Sequence, residues 1–201
     1  MAGTLLFSVT ADNRQHADDH LDARTSGGLI VVAEPKTHPW VASFGAYYLC
    51  STRGRDITIQ SVRYEASVQP LNVSFQLRNV DSGAAGIASA RGEPPDFVDP
   101  DRHTYIPRPG TYEQLRPGRQ ITQTCADVAD GKNGFTELLF VVTVGEQGGV
   151  INRAWIDYTV DGIEDHQYTL DLRWKMILCG NRVPANDSRG DCGPSAAPQG
   201  L

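Results

Sequence analysis

Carboxylates and imidazoles gather at only a few places along this chain, and each place points to a different chemistry. Asp99, Asp101 and His103 flank Pro100 within a short polar stretch, and two carboxylates beside an imidazole can hold a divalent ion or polarise a water. Asp127, Asp130 and Asn133 alternate with Gly131 and Gly134. That is the oxygen-rich, turn-prone composition of a calcium loop, but Glu137 falls off the spacing expected of its terminal bidentate carboxylate. A plain connecting turn accounts for the stretch more simply. Taken together, Asp99, Asp101, His103 and Asp127 define the alternative candidate site, that of a metal-dependent, hydrolase-like enzyme working across two loops. His16 and His20 stand four apart with Asp18 and Asp19 between them, which on a helix would put both rings on one face. No Glu follows the first His, and the polar surroundings read as a solvated leader.

Other short motifs are weaker still. Arg189-Gly190-Asp191 is a tripeptide read by some cell-surface receptors, while Asn72-Val73-Ser74 and Asn186-Asp187-Ser188 match the glycosylation pattern. Serine nucleophile elbows, phosphate-binding glycine loops, dinucleotide fingerprints and paired zinc histidines do not occur in the sequence. No catalytic residue, metal or cofactor is therefore expected, and a non-catalytic role is favoured over an enzyme.

The elements that must position these residues are strands. The chain has 201 residues, 40% of them hydrophobic and 21% charged, with 20 Gly and 12 Pro, a globular composition rich in turns. Its net charge is -6 and its basic residues are scattered, so no footprint for a phosphate backbone is visible and nucleic acid is not an expected partner. Thr136 through Val144 is almost continuously apolar, as a strand covered on both faces should be. In the next run Trp155, Asp157 and Thr159 oppose Ile156, Tyr158 and Val160. In the last, Tyr168, Leu170, Leu172, Trp174, Met176 and Leu178 share one face, with Thr169, Asp171, Arg173 and Lys175 on the other. Earlier, Ile57 and Ile59, with Ser61 next in line, oppose Thr58, Gln60 and Val62, and Leu71, Val73, Phe75 and Leu77 alternate again. Short turns between such runs predict an antiparallel meander and, with the earlier strands, two sheets packed face to face: an all-β antiparallel sandwich.

Residues 28–181 make that sandwich. A loop over 81–117, rich in Gly, Ala, Pro and Asp, interrupts it as a functional excursion or an insertion. Residues 182–201 read as a tail and 1–27 as a leader. Leu5-Leu6-Phe7 and Val9-Thr10-Ala11 fit the end of a signal peptide, with a charged segment or membrane anchor expected upstream of residue 12; the competing reading makes residues 4–10 the first strand. Cys50, Cys125, Cys179 and Cys192 are widely spaced with no Cys-x-x-Cys pair. They are read as two bridges, which allows three connectivities, with a local Cys179–Cys192 bridge able to pin the tail.

Three segments carry a resemblance. Tyr-Tyr-Leu-Cys ending at Cys50, Pro-Gly-Arg-Gln-Ile-Thr-Gln-Thr-Cys ending at Cys125, and Asp157-Tyr158-Thr159-Val160-Asp161-Gly162 leading to Leu178-Cys179-Gly180 occur in that order. Over residues 44–180 the chain resembles uncharacterised exported actinobacterial proteins with an immunoglobulin-like β-sandwich. The resemblance implies fold and compartment and transfers no catalytic residue. It departs from the immunoglobulin hallmark, since no Trp lies between Cys50 and Cys125. The expectation is an extracellular or cell-envelope binding module whose loops meet a protein or a glycan at the cell surface.

Overall fold

The computed structural model describes residues 20–23, 28–32, 38–81, 84–98, 108–130, 134–163 and 166–183. These form the all-β sandwich that the alternation predicts. In chain order the elements are β1 (Leu21–Asp22), β2 (Gly28–Val32), β3 (Trp40–Ser51), β4 (Ile57–Val68), β5 (Asn72–Val80), β6 (Ser89–Arg91), β7 (Thr111–Gln114), β8 (Arg119–Ile121), α1 (Cys125–Asp130), β9 (Phe135–Val144), β10 (Gly149–Val160), β11 (Tyr168–Leu172) and β12 (Trp174–Leu178). One sheet runs β1-β3-β9-β5-β7, with β6 also on β3; the other runs β2-β12-β10-β4-β8, with β11 also on β10. All pairings are antiparallel except that of β2 with β12.

The two sheets close on a common apolar layer. Phe44, Leu138, Phe140 and Val142 of the first sheet meet Ile57, Ile156, Tyr158, Met176 and Leu178 of the second. Edge-to-face aromatic pairs cross the interface, Tyr47 with Trp174 at 6.2 Å and Tyr64 with Phe75 at 6.5 Å. Such a layer supplies the main stabilisation of a sandwich, about 25 cal/mol for each Å² of apolar surface removed from water.

The structure redraws several expected boundaries. Leu71 lies outside β5 and is 67% exposed, because the chain is still turning between β4 and β5 there. The run from Tyr168 to Leu178 is two strands broken at Arg173: β11 pairs with Ala154–Tyr158 and β12 with Gly149–Ile151. Its inward face is as expected, with Leu172, Met176 and Leu178 buried and Tyr168, Leu170 and Trp174 packed against them. Along β4 the register slips by one residue at Gln60, since Asp157 pairs with Ser61 while Tyr158 pairs with Ile59. Such a bulge moves every later side chain to the opposite face, so Ser61 points outward and Val62, Tyr64 and Ala66 pack on the core.

At the N-terminal side the sandwich begins before residue 28. Leu21 is fully buried, β1 pairs with β3, and the backbone amides of His20 and Leu21 donate to the Tyr158 hydroxyl at 3.2 and 3.4 Å. His20, read from sequence as part of a solvated leader, is buried with its ring against Tyr168; His16 lies outside the described residues. At the other end Val183 packs with Val150, Ile177 and Cys179, so packing continues past residue 181.

The excursion is not structureless either. It contributes β6 and β7, and Ile87, Ala90 and Phe97 form a small second core with Leu139 against the outer face of the first sheet.

Candidate functional site

The outer face of the second sheet carries a side-chain ladder built by β4, β10 and β11. Backbone pairing sets Ser61, Asp157 and Thr169 in one row, Arg63, Trp155 and Asp171 in the next, and Glu65 opposite Arg153 in the third. The bulge at Gln60 makes this possible, because without it Ser61 and Arg63 would point into the core. Asp157 accepts from Arg63 Nε at 2.6 Å and Nη2 at 2.8 Å, from Ser61 Oγ at 2.8 Å and from Thr169 Oγ1 at 2.8 Å. One row away Asp171 accepts from Arg153 Nε at 3.0 Å and Nη2 at 2.7 Å. Both are fork-to-fork pairs, which fix the guanidinium plane as well as its charge. The half-buried indole of Trp155 lies between them, 5.4 Å from the Arg63 guanidinium carbon and 5.2 Å from that of Arg153, within cation–π range.

The Arg63 guanidinium holds the Asp157 carboxyl well below the usual carboxylate range; burial opposes this, and the Thr169 and Ser61 hydroxyls add to it. A carboxylate held so low is a poor general base near neutrality. The Ser61 hydroxyl donates to this carboxylate as part of the same cluster. Hydrogen bonding to Asp157 and Asp171 raises the Arg63 and Arg153 guanidiniums in turn.

A third arginine–carboxylate pair lies on the outer face of the other sheet, fully covered. Arg78 Nη1 donates to Glu137 Oε2 at 2.8 Å, with both side chains 0% exposed. Arg78 also donates to the carbonyls of Pro109 and Ala85, at 2.9 and 3.1 Å. Glu137 Oε1 accepts from the backbone amides of Ala46 at 2.6 Å and Ile87 at 2.7 Å. Ala46 has a positive φ of 63° where β3 bulges. A Cβ on the adjacent Gly45 would come within 2.5 Å of Leu139 Cδ2 and 2.6 Å of the Ile87 carbonyl oxygen, so only glycine lets the excursion dock this closely. Nearby, burial raises the Tyr48 hydroxyl first, and the Glu137 charge raises it further against the opposing Gly86 hydrogen bond and Arg78 charge. This pair clamps the excursion.

Of the residues proposed for chemistry, Asp99, Asp101 and His103 lie outside the described residues. Asp127 serves α1: Thr124 Oγ1 donates to its carboxylate at 2.6 Å and the Asp127 amide donates back to Thr124 Oγ1 at 3.2 Å, a reciprocal cap of a helix start. The Asp130 side chain and Asn133 are outside the described set. Cys50 and Cys125 form a disulfide with Cα atoms 4.8 Å apart, tying β3 to the start of α1. Cys179 is also disulfide-bonded, and Cys192 lies outside the described residues. Asp22 sits with the Cys50 and Cys125 sulfurs, all within 4.8 Å, but sulfurs bonded to each other are not thiolates and cannot ligate a metal in that state. A shallow cleft of about 410 Å³ lies at the β7–β8 turn between Glu113, Arg116 and Arg119, where Arg119 already pairs with Glu113 at 2.8 Å.

Sequence reasoning placed Trp155 and Asp157 on one face and Thr169, Asp171 and Arg173 on another strand's polar face, yet did not bring them together. It also passed over Arg78, and weighed Glu137 only as an off-spacing calcium ligand. The signal there was a charge inside an apolar strand, which must find a partner when covered. Comparison with known proteins finds no matching family model, no matching curated protein and no matching solved structure. The fold and site define a disulfide-bonded, two-sheet β-sandwich with an arginine–tryptophan ladder on its open face.

Proposed function

We propose that this protein is a non-catalytic binding module of the cell exterior or envelope, and that it engages its partner, a protein or a glycan, through the β4-β10-β11 face. The observation that carries the reading is Trp155 set between two guanidiniums, each fixed by its own aspartate on a sheet. Tryptophan and arginine dominate the energetics of recognition surfaces when their geometry is set in advance. The depressed Asp157 favours gripping over proton transfer. The Cys50–Cys125 disulfide fits an oxidising compartment, and no helix among the described residues is long and apolar enough to cross a membrane. The resemblance to exported immunoglobulin-like proteins belongs to the same reading.

The test is cosedimentation of the purified protein with the envelope fraction of the cells that make it. Wild type should pellet with the envelope, while a Trp155→Leu/Arg153→Gln double variant with an unchanged melting temperature stays in the supernatant. Equal pelleting of both assigns binding to another surface. Intact mass before and after reduction checks the compartment: the native protein should gain two hydrogens for each bridge, and a native protein with free thiols overturns it.

A further inference from the structure

We infer that Cys50, Cys125 and Asp22 form a zinc site when the bridge between the two cysteines is reduced, so that one cluster staples the sandwich by a disulfide in one redox state and by a metal ion in the other. This site is separate from the ladder and its partner. Strand register sets the cluster up. Asp22 lies opposite Cys50 in the antiparallel pair of β1 with β3, which puts the two side chains on one face with their Cβ atoms about 5 Å apart, and Cys125 opens α1 beside them. A carboxylate oxygen and the two sulfurs all lie within 4.8 Å of one another. The backbone that carries them is also held without the sulfur–sulfur bond. The Ser51 amide donates to the Gln123 carbonyl at 2.8 Å, the Thr52 amide donates to the His20 carbonyl at 2.9 Å, and the Tyr158 hydroxyl accepts from the amides of His20 and Leu21. Opening the bridge therefore leaves the three ligand-bearing segments tied to one another.

A dithiol reductant opens the bridge by exchange: it is oxidised to its own disulfide, and two electrons and two protons pass to the Cys50 and Cys125 sulfurs. The resulting thiols must then move apart to nonbonded contact in a place where both residues are buried. Tetrahedral zinc, with thiolate sulfur at about 2.3 Å and carboxylate oxygen at about 2.0–2.2 Å, sets its ligand atoms about 3.6–3.8 Å from one another, within the spread the cluster already has. The ion displaces both thiol protons to solvent and binds the sulfurs as thiolates. Two thiolates choose zinc over calcium or magnesium, which take oxygen ligands. Asp22, half-buried, supplies the third ligand, and the fourth position falls to water. The ion then joins the same three segments that the disulfide joins, β1 being added to β3 and α1.

The test uses the full chain carrying Cys179→Ser/Cys192→Ser, so that only Cys50 and Cys125 respond to reduction. After reduction by a phosphine, which adds no competing thiol, titration with cobalt(II) should produce thiolate-to-cobalt charge-transfer absorption that saturates at one ion per chain. Zinc should displace the cobalt, and should raise the melting temperature of the reduced chain, since it binds the folded state. The bridged chain should show neither effect. Asp22→Ala should weaken cobalt binding by at least about tenfold, the lower bound for disturbing even a group that supports a ligand, while leaving the melting temperature of the bridged chain unmoved. No absorption from the reduced chain overturns the inference, as does equal absorption when Cys50 and Cys125 are also changed to Ser. Unchanged cobalt affinity in Asp22→Ala overturns the three-ligand site. If the starting variant does not fold, the four-cysteine chain is reduced and titrated beside its Cys50→Ser variant: loss of the absorption in Cys50→Ser supports the site, and equal absorption in both overturns it.

Discussion

The two outer faces of the sandwich hold the same pair of groups under opposite conditions. On the first sheet, Arg78 and Glu137 are sealed beneath the excursion at 0% exposure; on the second, Arg63 is 55% exposed over an Asp157 that is 9% exposed. Their other partners differ accordingly. Glu137 collects backbone amides from two separate segments, Ala46 and Ile87, and so joins pieces of chain. Asp157 collects only side chains, Arg63, Ser61 and Thr169, and so aims a guanidinium at solvent. An ion pair under cover joins segments of the fold, whereas one in the open leaves its guanidinium facing solvent.

Breaking each pair should expose this contrast. Glu137→Gln leaves the Arg78 charge buried without its carboxylate and should cost about 3–5 kcal/mol in urea unfolding. An Arg78→Met/Glu137→Leu double variant should recover much of that, because neither charge is then buried alone. An unchanged midpoint for Glu137→Gln would remove the clamp from the account. Next in size comes the disulfide beneath the same sheet: replacing Cys50 and Cys125 with Ser frees a 75-residue separation and should cost about 4 kcal/mol of stability.

On the open face the effects are smaller and depend on pH. Asp157 has a folded pKa below the unfolded value of about 3.9, so its contribution is complete above about pH 5 and fades as pH falls through the folded value. Melting temperature followed downward from pH 5 should therefore drop less steeply in Asp157→Asn than in wild type, and parallel curves contradict the assignment. Smallest of all, Arg153→Gln should leave the melting temperature unmoved while changing binding, since its pair with Asp171 is largely solvated. A clear loss of stability there would make the open face structural too.

Much of the sandwich was legible because alternation with a period of two has no other explanation at Tyr168–Leu178 or over β10. That Trp155 and Asp157 share one face of β10 followed from the same rule. What stayed hidden depends on pairing between strands. The bulge at Gln60 leaves no mark in the sequence of β4, yet it decides whether Ser61 and Arg63 face the core or join Asp157. The break at Arg173 arises because β11 and β12 share one partner strand at different positions. The excursion read as a loop because its apolar residues, Ile87, Ala90 and Phe97, have no periodicity of their own; they find their place against Leu139 and under the Arg78–Glu137 clamp.

The parallel pairing of β2 with β12 sets an order of events. Gly28 lies opposite Trp174 and Val32 opposite Leu178, so β2 meets this neighbour only after β3 through β11 have been made. Contacts this distant in sequence are slow to form, and the second sheet cannot gain this edge before β12 is made. β2 therefore lies without its sheet neighbour for as long as β3 through β11 are being made.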